Sequence, residues 1–133
     1  MGDLLRKGSN WLEAQRKAHL ATTVRYFRGE AFVDVLATVG RTVFEQADEY
    51  GIVHRTETRD FLITAADLTF GDGPVTPKEG DRIHDFSVPG TNNIYEVMTP
   101  GGEPPFRYSD PYRTTLRVHT KHVAQLALET NEP

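Results

Sequence analysis

Apolar and polar residues follow two different periods along this chain. From Asp3 to His19 the spacing is helical. Leu4, Leu5, Gly8, Trp11, Leu12, Gln15 and Ala18 share one side of the wheel, with Arg6, Asn10, Glu13, Arg16 and Lys17 across from them. The pattern predicts an amphipathic helix within residues 1–20, docked on its own domain or on a partner, core packing being the usual fate of such a stripe. From Ala21 the period falls to two. Val24-Arg25-Tyr26-Phe27 precedes a Gly29-Glu30 turn, after which Ala31, Val33, Val35, Ala37 and Val39 alternate with Glu30, Phe32, Asp34, Leu36 and Thr38. Phe32 and Leu36 lie on the face opposite the small and branched residues, so a second cover is expected, from a sheet closing on itself or from another subunit. Gly40 reads as a break or bulge, and Thr42-Val43-Phe44-Glu45 continue the strand.

Gln46 to Gly51 reads as a loop with an acidic tip, and Ile52 to Ile63 as extended chain with a solvated first half and a buried Phe61-Leu62-Ile63 end. Thr64 is placed to cap a single turn through Leu68. Gly71, Gly73, Pro74 and Pro77 make residues 70–79 a loop by composition. Gly80-Asp81-Arg82-Ile83 and Ile94-Tyr95-Glu96-Val97 read as two strands of one hairpin, joined by Asp85 to Asn93, with Asp81 as turn chemistry. After an irregular stretch from Thr99 to Pro105 and a turn at Ser109-Asp110-Pro111, Tyr112 to Val123 is a last strand, and Gln125 to Pro133 reads as a frayed tail. The organisation expected is a helix over residues 1–20, a β-domain over 21–124 and a tail over 125–133. The fold class is mainly β: a small β-barrel or sandwich with an N-terminal amphipathic helix and long loops.

Charge changes this picture only by its distribution. The net charge is −4, yet residues 1–30 carry six Lys/Arg against three Asp/Glu, while residues 31–80 carry four against nine. An acidic body argues against wrapping nucleic acid, which needs a positive surface to displace counterions. The absence of cysteine removes disulfides and thiolate metal sites. No apolar run reaches the roughly 20 residues of a membrane helix, and the N-terminus has no apolar signal core, so a cytosolic protein without membrane contact is expected.

Motifs for chemistry are weak. His119 and His122, three apart on a strand, point to opposite faces and would not share a metal, and His119 is expected on a solvated basic face. His54 and His84 are isolated in sequence. Asp48 and Glu49 read as solvated loop carboxylates. Gly71-x-Gly73 and Gly101-Gly102 lack the Lys-Ser/Thr of a phosphate loop. Phe106-Arg107-Tyr108 with Tyr112-Arg113 offers either a stacking surface for single-stranded nucleic acid or ordinary core and rim packing. No catalytic residue, metal or cofactor is expected.

The order of these segments carries a resemblance. Trp11-Leu12-x-x-Gln15-Arg16, Val24-Arg25-Tyr26, Asp60-Phe61-Leu62-Ile63, Pro77-x-x-Gly80-Asp81-Arg82-Ile83, Tyr95-Glu96-Val97, Asp110-Pro111-Tyr112-Arg113 and Arg117-x-His119-Thr120-Lys121 follow one another over residues 4 to about 123. In this the sequence resembles the head–tail joining, head-completion or neck proteins of tailed phages and prophages. The resemblance implies a non-enzymatic virion protein at the neck, assembled in the host cytoplasm as a homo-oligomeric ring. Its implied partners are the portal or connector and tail proteins, with packaged DNA as a transient contact. Candidate assembly contacts are Leu4, Trp11 and Leu12 on the helix, Phe32 and Leu36 on the strand, Asp48 and Glu49 at the acidic tip, and Gly101, Gly102, Phe106 and Tyr108 in and after the Pro/Gly-rich loop. A tail-completion or minor tail protein, and from another class a small nucleic-acid-binding barrel or an enzyme, remain alternative readings of the same residues.

Overall fold

Alternation decides the first two strands. The computed structural model describes residues 21–128; the expected helix and residues 129–133 of the expected tail lie outside them. β1 (Thr22–Arg28) turns at Gly29 and Glu30 into β2 (Ala31–Ala47), with Arg28 opposite Ala31. Gly29, at φ 62°, takes the first central position of this two-residue turn, where the type II′ geometry matched to strand twist requires a glycine. Val24 and Tyr26 face inward, Arg25 and Phe27 outward.

β2 returns along β3 (Val53–Thr64), and a single 3-10 turn (Ala65–Asp67) leads to a miniature hairpin of β4 (Thr69–Phe70) and β5 (Gly73–Pro74). β6 (Arg82–Asp85) and β7 (Thr91–Val97) form the expected hairpin around a shorter connection, residues 86–90. A second 3-10 turn (Pro100–Gly102) precedes β8 (Phe106–Tyr108) and the long β9 (Thr115–Ala127). The sheet runs β3-β2-β1-β6-β7-β9, and β9 pairs back onto β3, all antiparallel. Six strands therefore close a barrel, with β8 beside the first half of β9. Closure is what removes sheet edges, and it settles the barrel over the sandwich.

The interior is filled by Val24, Tyr26, Val35, Ala37, Phe61, Ile63, Ile83, Tyr95, Val97, Leu116 and Val118. One end is plugged by the chain between β3 and β6: Leu68 is fully buried, and Ala65, Phe70 and Val75 pack against the same core. The plug is pinned where Arg28 Nη2 donates to Thr76 O (2.6 Å) and to Asp81 Oδ2 (2.8 Å), and where the Tyr26 hydroxyl donates to the same carboxylate. Burial, and then that carboxylate, push the Tyr26 hydroxyl pKa up. Asp81 is thus more than turn chemistry. It is a buried acceptor joining β1 to the start of β6, and it also takes the Lys78 N–H at 3.0 Å.

Several expectations need correction. Gly40 does not break β2, which stays in register with Asp60 opposite Gly40. The irregularity falls instead between Ile94 and Tyr95, where β7 shifts against β9. Gly40 sits at a close approach: a Cβ there would be 3.2 Å from Arg117 Nη1 and 3.4 Å from Leu62 Cδ1, so the Arg117 side chain would have to give by a few tenths of an ångström. Thr64 precedes the 3-10 turn without a side-chain capping bond. The last strand begins at Thr115, not Tyr112, because Asp110 holds residues 110–115 as a turn. Its carboxylate accepts the N–H groups of Tyr112, Thr114 and Thr115 at 2.8–3.1 Å and the Thr114 hydroxyl at 2.7 Å, with Arg113 at φ 58° between them. Residues 125–127 are no tail. They pair with Asn93, Asn92 and Thr91 of β7.

Phe61 is fully buried between β2 and β9, with its ring 5.2 Å from that of Tyr95. Phe61→Ala is expected to lower stability by roughly 3–5 kcal/mol in chemical denaturation, without abolishing strand signal below the transition.

Candidate functional site

Register makes the two ends of the barrel different. β1 begins only at Thr22, opposite Ala37, but β2 runs ten residues further and stays paired with β3 up to Ala47 and Val53. β9 leaves β3 after Thr120 and Arg59 and continues beside β7 to Ala127, opposite Thr91. The Leu128 N–H then donates to Gly90 O at 2.8 Å. Above the closed barrel, therefore, the strands part into two lobes, the β2–β3 hairpin and the β6–β7–β9 wing, both pointing away from the plugged end. The notch between them is lined by Val39, Arg41, Arg59, Tyr95, Thr120 and Lys121. Its charges are largely paired within it: Arg41 with Glu57 (3.4 Å), and Arg59 with Asp85 (3.7 Å) while its guanidinium lies over the Tyr95 ring.

What fixes the hairpin at this parting is Asp60. Its side chain faces out of the barrel wall and is nevertheless fully buried. Oδ1 accepts the Thr58 hydroxyl (2.8 Å) and lies 2.9 Å from His119 Nδ1. Oδ2 accepts Arg117 Nη1 (2.8 Å) and the Thr42 hydroxyl. An ionised carboxylate only accepts, so His119 carries its proton on Nδ1. Burial pushes the Asp60 pKa up, but the bonds from His119, Thr42, Thr58 and Arg117 outweigh it and hold it at about 2. The expectation of a solvated His119 was wrong. The imidazole is 3% exposed because Phe44 of the hairpin stands edge-on to it at 5.2 Å and Pro104 and Phe106 lie beside it. The loop before β8 closes over the hairpin stem as well, where Gln46 Nε2 donates to Gly101 O at 2.6 Å.

At the tip, Asp48 Oδ1 accepts the N–H groups of Tyr50 and Ile52, both at 2.9 Å, and Oδ2 meets His54 Nε2 at 2.9 Å. The His54 hydrogen bond, then the Ile52 N–H, lower the Asp48 pKa. With its polar groups turned inward, the tip shows apolar side chains: Tyr50 is 81% exposed, Val53 61% and Ile52 57%. Across the notch, Val88, Leu126 and Leu128 are exposed on the other lobe. Exposed apolar residues grouped in this way are the usual mark of an interaction surface. Among the described residues no group of three or more His, Asp or Glu is placed to hold a metal, and no helix is long and apolar enough to cross a membrane.

A family model described as phage head-tail joining protein matches residues 2–127, nearly the whole chain. The chain belongs to that family. No curated protein matched the chain. A head–tail joining protein is a structural component of the neck, and the β-rich fold and the protruding apolar end agree with that role.

For this head–tail joining protein the predicted contact residues separate into groups. Phe32 and Leu36 are exposed on the outer barrel face. Glu49 is exposed at the hairpin tip, while Asp48 beside it is occupied in holding the turn. Gly101 and Gly102 form the 3-10 turn that Gln46 ties to the hairpin, which brings the loop and the hairpin stem together. Phe106 and Tyr108 pack against the core, edge-to-face with each other at 5.7 Å, with the Arg113 guanidinium 5.6 Å from the Tyr108 ring. Their aromatic surface serves the fold, the packing reading of that stretch. Leu4, Trp11 and Leu12 lie outside the described residues. Sequence reading passed over Tyr50, Ile52, Val53, Val88, Leu126 and Leu128. Tyr50-x-Ile52-Val53 was nevertheless visible as an apolar group flanking an acidic turn, where loops are ordinarily polar.

Asp60 gives a pH prediction. Its folded pKa lies below its ordinary 3.8, so the unfolded chain takes up the proton first as pH falls. The stabilisation, about 2 kcal/mol, is complete above pH ~4 and is lost as pH falls towards ~2. Asp60→Asn leaves Arg117 poorly partnered and is expected to cost roughly 3–5 kcal/mol at neutral pH. The difference between wild type and variant in urea unfolding is expected to shrink across the acid range.

Proposed function

We propose that this head–tail joining protein assembles with copies of itself into a ring at the virion neck, between the portal or connector and the tail, and that the parted end of the barrel makes its joining contacts. The observation that carries this is the gathering of Tyr50, Ile52, Val53, Val88, Leu126 and Leu128, all exposed, at one end of the molecule. The plugged end shows no comparable group of exposed large apolar residues among the described ones. A rigid β-hairpin held at its root suits joining, since a preorganised surface loses little entropy on docking. Glu49 and the Gly101-Gly102 turn are further candidate contacts. A basic first segment set against an acidic middle fits head-to-tail packing, in which a rotation that closes makes a ring. Assembly in the host cytoplasm, and transient contact with DNA in the channel, follow from that position. Among the described residues no geometry supports a catalytic role.

The test uses side chains that the fold does not need. Tyr50→Ser combined with Val53→Ser is expected to leave the melting temperature within a few degrees of wild type, because surface substitutions rarely exceed ~0.5 kcal/mol. The same variant is expected to lose head–tail joining in a complementation assay with tail-free heads. Full joining by a folded double variant would contradict the assignment of this end.

A further inference from the structure

A second exposed apolar surface runs along the outer wall, from Phe32 near the Gly29-Glu30 turn up to Phe86 beside the parted end. Phe27 of β1 faces outward beside Phe32 of β2, with ring centroids 5.5 Å apart. The His84 ring of β6 lies 4.4 Å from Phe27 on the other side, and Phe86 lies 6.3 Å beyond His84. Phe32 is 50% exposed and Phe86 41%, and Leu36, opposite Thr23, extends the band up the sheet. At the band's β7 side, Asn92 donates from Nδ2 to His84 Nδ1 at 3.0 Å, while its buried Oδ1 has no hydrogen-bond partner among the described residues. Three strands thus present an aromatic row that the barrel itself leaves uncovered.

We propose that this band is covered in the same subunit by the chain's own residues 1–20, through Leu4, Leu5, Trp11 and Leu12. Three observations select this occupant. The segment joins the barrel at Thr22, the end of β1 opposite Ala37 and next to Leu36, so it starts at the margin of the band. Its 20 residues are long enough: a helical run over Asp3–His19 would measure about 25 Å, against about 23 Å for the seven residues of β1. Its charge is also complementary. Residues 1–20 carry four Lys/Arg against two Asp/Glu, whereas residues 21–128 carry eleven against fifteen. The apolar stripe meets the aromatic row, and the net positive segment is drawn to a net negative body. The assignment does not depend on ring formation, since it concerns the single subunit.

Trp11 is the chain's single tryptophan, and the chain has no cysteine, so two clean readouts exist on the full-length protein. In dilute solution Trp11 emission is expected to be blue-shifted and its acrylamide quenching several-fold weaker than in the unfolded chain. Phe32→Ser with Phe86→Ser is expected to reverse both while the barrel still unfolds cooperatively. Trp11 quenched as in the unfolded chain would overturn the proposal, as would protection that disappears on dilution, which would assign the band to a second copy. Should the serine variant fail to fold, the pair Leu12→Cys and Leu36→Cys decides. An intramolecular disulfide that keeps the chain monomeric on a non-reducing gel supports the proposal, and a disulfide-linked dimer or no bond contradicts it.

Discussion

One carboxylate holds the two halves of this molecule in their relation. Asp60 stands where β3 still pairs with β9 but is about to leave it, and it gathers Thr42 from β2, Thr58 from its own strand, and Arg117 and His119 from β9. A buried charge is tolerable only with such a full set of donors. Each donor comes from a strand that the barrel needs in register. Gly40 lies beside the same device, with the Arg117 guanidinium 3.2 Å from where its Cβ would stand. The seam is polar where an interior seam would be apolar, since it lies on the outer wall and is covered by the hairpin and the loop it supports.

The consequences run outward from there. With its root fixed, the hairpin lays Phe44 against His119 and offers Gln46 to Gly101, so the Pro/Gly-rich loop is anchored at its middle. The tip settles its own backbone through Asp48 and is left with an apolar exterior. The opposite end follows a different logic, with the Tyr26–Asp81–Arg28 group and the Leu68 plug completing a closed interior. A barrel closed at one end and parted at the other suits a subunit that must be a stable unit by itself and a joint in its assembly.

How much of this could be read from the sequence depended on whether a signal was local. The two-residue turn at Gly29, the alternation along β2, the buried Phe61-Leu62-Ile63 end and the β6–β7 hairpin all follow from neighbours within a few residues, and all are present. The order of these segments was enough for the family resemblance. Tertiary facts were not legible. His119 shares a strand face with Arg117 and Lys121 and so reads as solvated, yet its cover comes from Phe44, 75 positions earlier in the chain. Asp60 follows Arg55, Glu57 and Arg59 and takes on their solvated look, because its four donors are scattered over β2, β3 and β9. The continuation of β9 to Ala127 is fixed by pairing with β7, while its own residues, Gln125 to Ala127, carry little β preference. The proposed contact surface escaped notice because its two lobes come from three separate stretches that only barrel closure brings to one end.

Hydrogen–deuterium exchange of the full chain, measured alone and after addition of tail-free phage heads, tells the two ends apart. Protection gained on joining is expected to concentrate in residues 47–53, 86–90 and 126–128, the parted end held up by Asp60. Protection gained instead around Gly29-Glu30 and residues 109–114, with the parted end exchanging as before, would contradict it.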